Sequence, residues 1–286
     1  MMDKEPVVAY PNPLEVDDGL DAIVITNRDR ACLVLPDLDY EAQLIAIKEL
    51  LRRNEQADVR TSEEIQALDA FARKSTGLRN DRAVDEWLNL LHGSTYQSAA
   101  NSMAAVGMLA PLIESLFYQA FQGIRATFYG ADVIPSGYGR SGMRTTNDFW
   151  DCHLIFAPTR NDRKAKNLVL GIMELAEAIN LTMHLPSDLG VLLSALIRYR
   201  NKMFHSGFEW PASNCVSFAA EITSAGWGDW FTSATRVDIP FVFYMTDAFV
   251  ARLLALVDEV LNSFGAYCTA KLEAGATGGP IMAQGD

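Results

Sequence analysis

The sequence predicts a mainly α-helical protein. Apolar residues recur at three- and four-residue spacing over most of the 286 positions, and strand-like runs are confined to the N-terminal region. Gly and Pro cluster where the helical period fails. With 49% hydrophobic and 21% charged residues, the chain is long enough to bury one large core or two modest ones.

The first forty residues are rich in Pro and Asp. Ala22-Ile23-Val24-Ile25-Thr26 and Ala31-Cys32-Leu33-Val34-Leu35 flank the polar Asn27-Arg28-Asp29-Arg30, a pattern that predicts a small hairpin or extended arms laid on the body. From Tyr40 the period becomes helical through Leu44, Ile47, Leu50 and Leu51. A second helix starts at Ser62 and stops at Gly77, and a third runs from Ala83 to Leu91. A long helix over Ser98 to Phe128 carries the broad stripe Met103, Val106, Leu109, Leu112, Ile113, Leu116 and Phe117, with Pro111 inside it. Glu114 stands among these apolar neighbours and needs a cationic or hydrogen-bonding partner.

A loop is expected between Tyr129 and Thr159, then a helix from Asp162 to Leu181. Pro186-Ser187-Asp188 opens a helix with apolar positions Leu189, Leu192, Leu193, Leu196, Ile197 and Met203, closed by Gly207 and Pro211. A Trp- and Gly-containing connection with Trp227 and Trp230 leads to a last helix from Thr246 to Leu272. The organisation expected is an N-terminal extension over 1–93, a helical domain over 94–274 and a flexible tail over 275–286.

The net charge of −12 argues against an extended basic face for duplex DNA or an anionic membrane, while allowing a small basic site. The four cysteines form no C-x-x-C pair and read as reduced, buried thiols. The opening Met-Met-Asp-Lys-Glu-Pro lacks a signal-like apolar core, and no stretch reaches ~18 uninterrupted apolar residues, so a cytoplasmic location without a membrane span is expected.

Three groups could carry chemistry. Gly137-Tyr138-Gly139-Arg140-Ser141-Gly142 fits G-x-G-x-x-G, but no βαβ rhythm surrounds it, so it reads as a glycine loop. Its Arg140, with the nearby Arg144, could touch a phosphate backbone. Cys152-His153 and His184 lack zinc-type spacing, and neither a metal nor an organic cofactor is expected. His92 reads as a helix-end histidine.

The third group is Arg200-Asn201-Lys202-Met203-Phe204-His205. Continuing the stripe from Leu189 brings Arg200 to or near the core side, where an unpaired guanidinium costs several kcal/mol. A partner must exist, and Glu114 is the expected one. Five residues separate Arg200 from His205 by about 140° of rotation and roughly 7.5 Å of rise, so an unbroken helix does not aim both at one spot. Asn201 and His205, four apart, share a face. On helix physics alone, a buried arginine pair with a C-terminal histidine is the simpler reading.

Arg200-Asn201-x-x-x-His205, following an apolar helix and a long helix with an internal acidic residue, resembles the HEPN domain over about Ser98 to Ala270. The resemblance implies a helical bundle, here with additional N-terminal helices, that dimerises through the motif and brings two Arg and two His into one cleft. It also implies a metal-independent endoribonuclease of the kind found in toxin–antitoxin and antiviral systems, with an antitoxin or defence protein as partner. Arg200 would then stabilise the scissile phosphate, His205 would act as general acid or base, and Asn201 would orient them. Arg198, Lys202, Arg140 and Arg144 would hold RNA phosphates. Some members are controlled by modification of a Tyr two residues after the His; this chain has Gly207 there. Others keep the motif as RNA-binding or protein-interaction modules without catalysis, for which Trp227 and Trp230 would supply exposed contacts.

Overall fold

The computed structural model describes residues 25–135, 140–161 and 163–277 and shows a mainly α-helical protein. Eight α-helices and two antiparallel two-stranded sheets lie among the described residues.

The hairpin expected near the N-terminus gives way to a helix, α1 (Asn27–Ala31). Thr26 and Asp29 form a reciprocal capping box, with Asp29 N donating to Thr26 Oγ1 at 3.2 Å and Thr26 N donating to Asp29 Oδ2 at 2.8 Å. The polar residues read as a hairpin turn are thus the first turn of a helix; residues 22–24 lie outside those described. The chain then turns through Val34, which is buried. The segment lies so close to its supports that a Cβ at Gly265 would sit 1.5 Å from Asn27 O, and one at Gly123 would sit 2.0 Å from Val34 O. Only glycine permits that approach.

Helices α2 (Tyr40–Lys74) and α3 (Leu78–Ile124) form a long antiparallel hairpin turning at Gly77. The breaks expected near Ser62 and after Leu91 do not occur. Thr61 and Ser94 return their hydroxyls to the carbonyls of Ala57 and Leu91, which lets small polar residues ride within a helix. The junction drawn at 93/94 falls inside α3, and His92 is mid-helix, edge-on to Tyr96 at 5.1 Å.

The second half of α3 is the axis of the core, with Val106, Leu109, Leu116, Phe117, Ala120, Phe121 and Ile124 fully buried. Leu78–Tyr129 is long and apolar enough to pass for a membrane span. Yet 56% of its most apolar window is buried against the rest of the chain, as expected of a core helix.

After a π-helical turn (Arg125–Tyr129), the expected loop and the helix following it resolve into α4 (Thr146–Trp150), strands β1 (Leu154–Phe156) and β2 (Lys164–Lys166), and α5 (Leu168–Ala178). Then come α6 (Leu189–Ser206) and α7 (Ala212–Ala225). Strands β3 (Phe231–Arg236) and β4 (Ile239–Met245) and helix α8 (Asp247–Thr277) follow. The expected connection between α6 and α8 is therefore a helix plus a hairpin, tightly turned at Val237 and Asp238, both at positive φ.

Tyr199, Trp210, Phe218, Phe231 and Phe243 interlock where α6, α7 and the hairpin meet, with Trp210 stacked on Phe243 and Tyr199 Oη donating to Phe243 O at 2.9 Å. Trp227 is buried, and Trp230 stacks on Phe249 at 4.9 Å. Trp227 belongs to the core and Trp230 is half-buried against it, which corrects their expected role as exposed partner contacts. Cys152, Cys215 and Cys268 are buried, whereas Cys32 is exposed.

Candidate functional site

Helix α6 keeps its register to Ser206 and ends at Gly207, whose φ of +71 is a conformation glycine adopts without strain. Its core face is Leu192, Leu196, Tyr199 and Met203, all buried. The motif residues therefore fan out over the rest of the circumference. On the flank towards α3 stand Arg200 and Phe204, with Phe204 close to Gly107. Asn201 and His205 occupy the exposed outer face with Arg198, and Lys202 lies on the flank towards α7.

Arg200 is about one-third exposed, and its Nη1 lies 3.8 Å from Glu114 Oε2 on α3. The cation and the acid singled out in the sequence do pair, at the rim of the core rather than inside it. At 3.8 Å the contact is an ion pair without a direct hydrogen bond, so the guanidinium keeps donors for another anion.

Glu114 has a second partner that the sequence reading missed. His153 Nε2 lies 2.9 Å from Glu114 Oε1, and His153 Nδ1 lies 2.8 Å from Asp151 Oδ1. The result is a continuous half-exposed chain, Asp151, His153, Glu114 and Arg200, with the Tyr118 ring 5.8 Å from the imidazole. Both ring nitrogens face carboxylate oxygens, so bonding both requires a proton on each side of the ring. This trio can hold and pass protons beside a cation, the equipment of acid–base chemistry on an anionic substrate.

His205 is exposed and, among the described residues, has no side-chain hydrogen bond or ion pair. Because α6 does not fray, Arg200 and His205 of one chain point about 140° apart. Arg198 is engaged by Glu221 of α7, at 2.7 Å from Nε to Oε1.

Arg140 does not face a phosphate site. It is fully buried, with its guanidinium donating to the carbonyls of Leu154 at 2.8 Å, Gly171 at 3.0 Å, Asp148 at 3.1 Å and Asp151 at 2.8 Å. Burial pushes its pKa down, opposed by the Glu174 carboxylate 4.0 Å away. The fork of guanidinium donors matches a nest of carbonyls as well as it matches phosphate, which is why the sequence alone misassigned it. It pins the segment that carries Asp151 and His153. Arg144 is exposed and reaches Asn161 O at 3.3 Å. Of the glycine loop, 137–139 lie outside the described residues and Arg140–Gly142 form a 3-10 turn.

Asp151, Cys152 and His153 bring metal-ligand atoms within 4.8 Å of one another. Burial, with help from Asp151, pushes the Cys152 thiol up to about 12, so it is a protonated core side chain rather than a ready thiolate ligand. Comparison with known protein families, with curated proteins and with solved structures finds no match.

Proposed function

We propose that the protein is a metal-independent endoribonuclease of HEPN type, acting as a homodimer through the α6 face. The observation that carries this reading is the solvent side of α6, where Arg200 on the flank towards α3 keeps free donors and Asn201 and His205 stand exposed on the outer face of a rigid, glycine-capped helix. RNA supplies its own nucleophile in the 2′-hydroxyl, so a proton acceptor, a proton donor and a cation suffice. A histidine serves near neutrality, contributing about 10²–10⁴ in rate, and Arg200 supports the charge gathering on the phosphorus oxygens.

The 140° divergence within one chain gives the dimer a physical purpose. Across a two-fold axis, Arg200 of one copy can meet His205 of the other. Lys202 and Arg198 would flank the RNA backbone, with Arg198 drawn from Glu221. Such an activity fits a toxin–antitoxin or antiviral setting in which a partner restrains it.

The test is cleavage of a labelled single-stranded RNA pool in EDTA by the wild type, Arg200→Ala and His205→Ala, each checked for folding. The expected result is cutting by the wild type alone, leaving 2′,3′-cyclic phosphate and 5′-hydroxyl ends. An inert wild type, or variants that cut equally well, refutes it.

One observation favours a non-catalytic RNA-binding or protein-interaction module instead. Arg200 and Arg198 already have carboxylate partners within the chain, Glu114 and Glu221. That reading expects binding to RNA or to a protein without cleavage.

A further inference from the structure

Beyond the body, α2 and α3 continue as a two-helix arm. Between Leu51 and Gln97 only Ala72 and Ala83 are buried. A hairpin of this kind has one seam and cannot cover its other faces.

The exposed residues on α3 are patterned. Val84, Leu88 and Leu91 are 36%, 49% and 43% exposed and stand at i, i+4 and i+7, one continuous apolar stripe. Phe71 and Leu78 add exposed apolar surface at the tip. Fourteen residues after the stripe, close to four turns, Ser98, Ser102 and Ala105 repeat its spacing and line a cleft of about 770 Å³ between α2, α3, β4 and the start of α8. Stripe and cleft therefore lie along one side of α3.

The charges are sorted along the arm. Its tip carries Arg73, Lys74, Arg79 and Arg82 against Asp69 and Asp81, while its root carries Glu55, Asp58, Glu63 and Glu64 against Arg60 and against Arg52 and Arg53, which Glu49 already holds. The cleft opens on this root, with Glu55, Asp58 and Asp247 in its wall, Asn101 donating to Asp58 Oδ2 at 2.7 Å, and the wall's two cations, Lys48 and Arg52, held by Asp258 and Glu49. Burial first, and the neighbouring Asp247 after it, raise the Asp58 carboxyl above its ordinary value, against the hydrogen bond from Asn101.

We propose that the arm pairs antiparallel with the arm of a second copy, seating the basic tip of each in the acidic cleft at the root of the other. A two-fold axis at Leu88 sets Leu88 against Leu88 and Val84 against Leu91. It also places residue 78 of one copy level with residue 98 of the other, at the cleft. The parallel alternative stacks basic tip on basic tip. A face two helices wide and twenty residues long measures roughly 20 Å by 30 Å, close to the ~800 Å² per partner of a stable interface. The two bodies then lie at opposite ends of a four-helix bundle, so this contact is separate from any through α6 and does not depend on the ribonuclease reading.

Full-length protein carrying Cys32→Ser, to remove the exposed thiol, is given either Leu88→Cys or Leu78→Cys and oxidised. Leu88→Cys forms a disulfide-linked dimer and Leu78→Cys does not. In light scattering the wild type is dimeric through the arm alone, or tetrameric where the α6 contact also forms, and Leu88→Glu halves that mass, weakening association by roughly tenfold or more, while circular dichroism stays helical. Arg79→Glu with Arg82→Glu weakens it likewise, and adding Glu63→Lys with Glu64→Lys restores it. A wild type that remains monomeric, a dimer indifferent to Leu88→Glu, or cross-linking through Leu78→Cys as readily as through Leu88→Cys overturns the proposal.

Discussion

Replacing Arg140 separates two roles that an arginine in a glycine-rich loop can play. In Arg140→Met the hydrophobic stem is retained and the fork is lost, leaving the carbonyls of Asp148, Asp151, Leu154 and Gly171 without its protons. A buried acceptor stripped of its donor costs about 1–3 kcal/mol. Three of these oxygens keep a second bond, since Asp151 N donates to Asp148 O at 3.4 Å, Leu154 N to Asp151 O at 3.1 Å, and Gly171 O lies inside α5 with its helical bond. The low end of the range therefore applies, and the sum is about 3–5 kcal/mol, the usual cost of breaking a buried charged network. For a chain of this length that lowers the midpoint of thermal unfolding by about 10 °C. Arg140→Lys rescues little, because an ammonium cannot span four carbonyls fixed for a planar fork. Urea unfolding followed by circular dichroism measures the loss directly. A variant of wild-type stability would refute the reasoning, and one of wild-type stability that also lost RNA affinity would restore Arg140 to a phosphate site.

Arg144→Ala, removing an exposed side chain with one 3.3 Å bond, changes stability by less than about 0.5 kcal/mol in the same assay. A double-mutant cycle on Arg200 and Glu114 gives a coupling of about 1 kcal/mol or less, since the pair is partly exposed and 3.8 Å apart; a coupling several times larger would mean a closed, buried pair. Asp258 ties α1 and α2 to α8 through Arg28 at 2.7 Å and Lys48 at 2.8 Å. Burial alone would raise its carboxyl, but the two cations outweigh it and hold it below its ordinary value. A depressed carboxyl stabilises the fold above its unfolded pKa and stops doing so as pH falls through the folded one. Asp258→Asn is therefore less stable than wild type near neutrality, and the gap closes in acid below the ordinary aspartate range. Unfolding curves at neutral and acidic pH decide it, and a gap that widens in acid reverses the sign. If His205 serves substrate alone, His205→Ala unfolds with the wild-type midpoint while losing RNA cleavage.

The helices were legible wherever one apolar face meets one core. The stripe from Leu189 to Met203 and the run from Met103 to Phe121 both appear as helices with those residues inward. The elements that escaped depend on pairing rather than period. Strands β1 and β2 are three residues each and have no pattern without one another. The β3–β4 hairpin turns on Val237 and Asp238, which hold positive φ without the Asn-Gly signal that normally announces such a turn. The false breaks at Ser62 and after Leu91 came from reading polar residues as punctuation, although each lies in an arm where little apolar surface is buried and the helical period is faint.

The candidate site divides along the same line between local and distant information. Arg200 and Glu114 could be matched from sequence because each violated the polarity expected at its own position, and two such violations in adjoining helices tend to resolve each other. His153 violated nothing, lying in a loop where a histidine is unremarkable. It enters the site from a segment whose flanking carbonyls, those of Asp151 and Leu154, are pinned by Arg140, with its Nε2 2.9 Å from Glu114 Oε1. Arg140→Met therefore tests more than stability. If the Asp151–His153–Glu114 chain supports Arg200 in catalysis, the folded fraction of that variant cuts RNA more slowly than the wild type, although Arg140 touches neither Arg200 nor His205. Undiminished cutting per folded molecule would leave the trio as an anchor of the loop and place all acid–base work on His205.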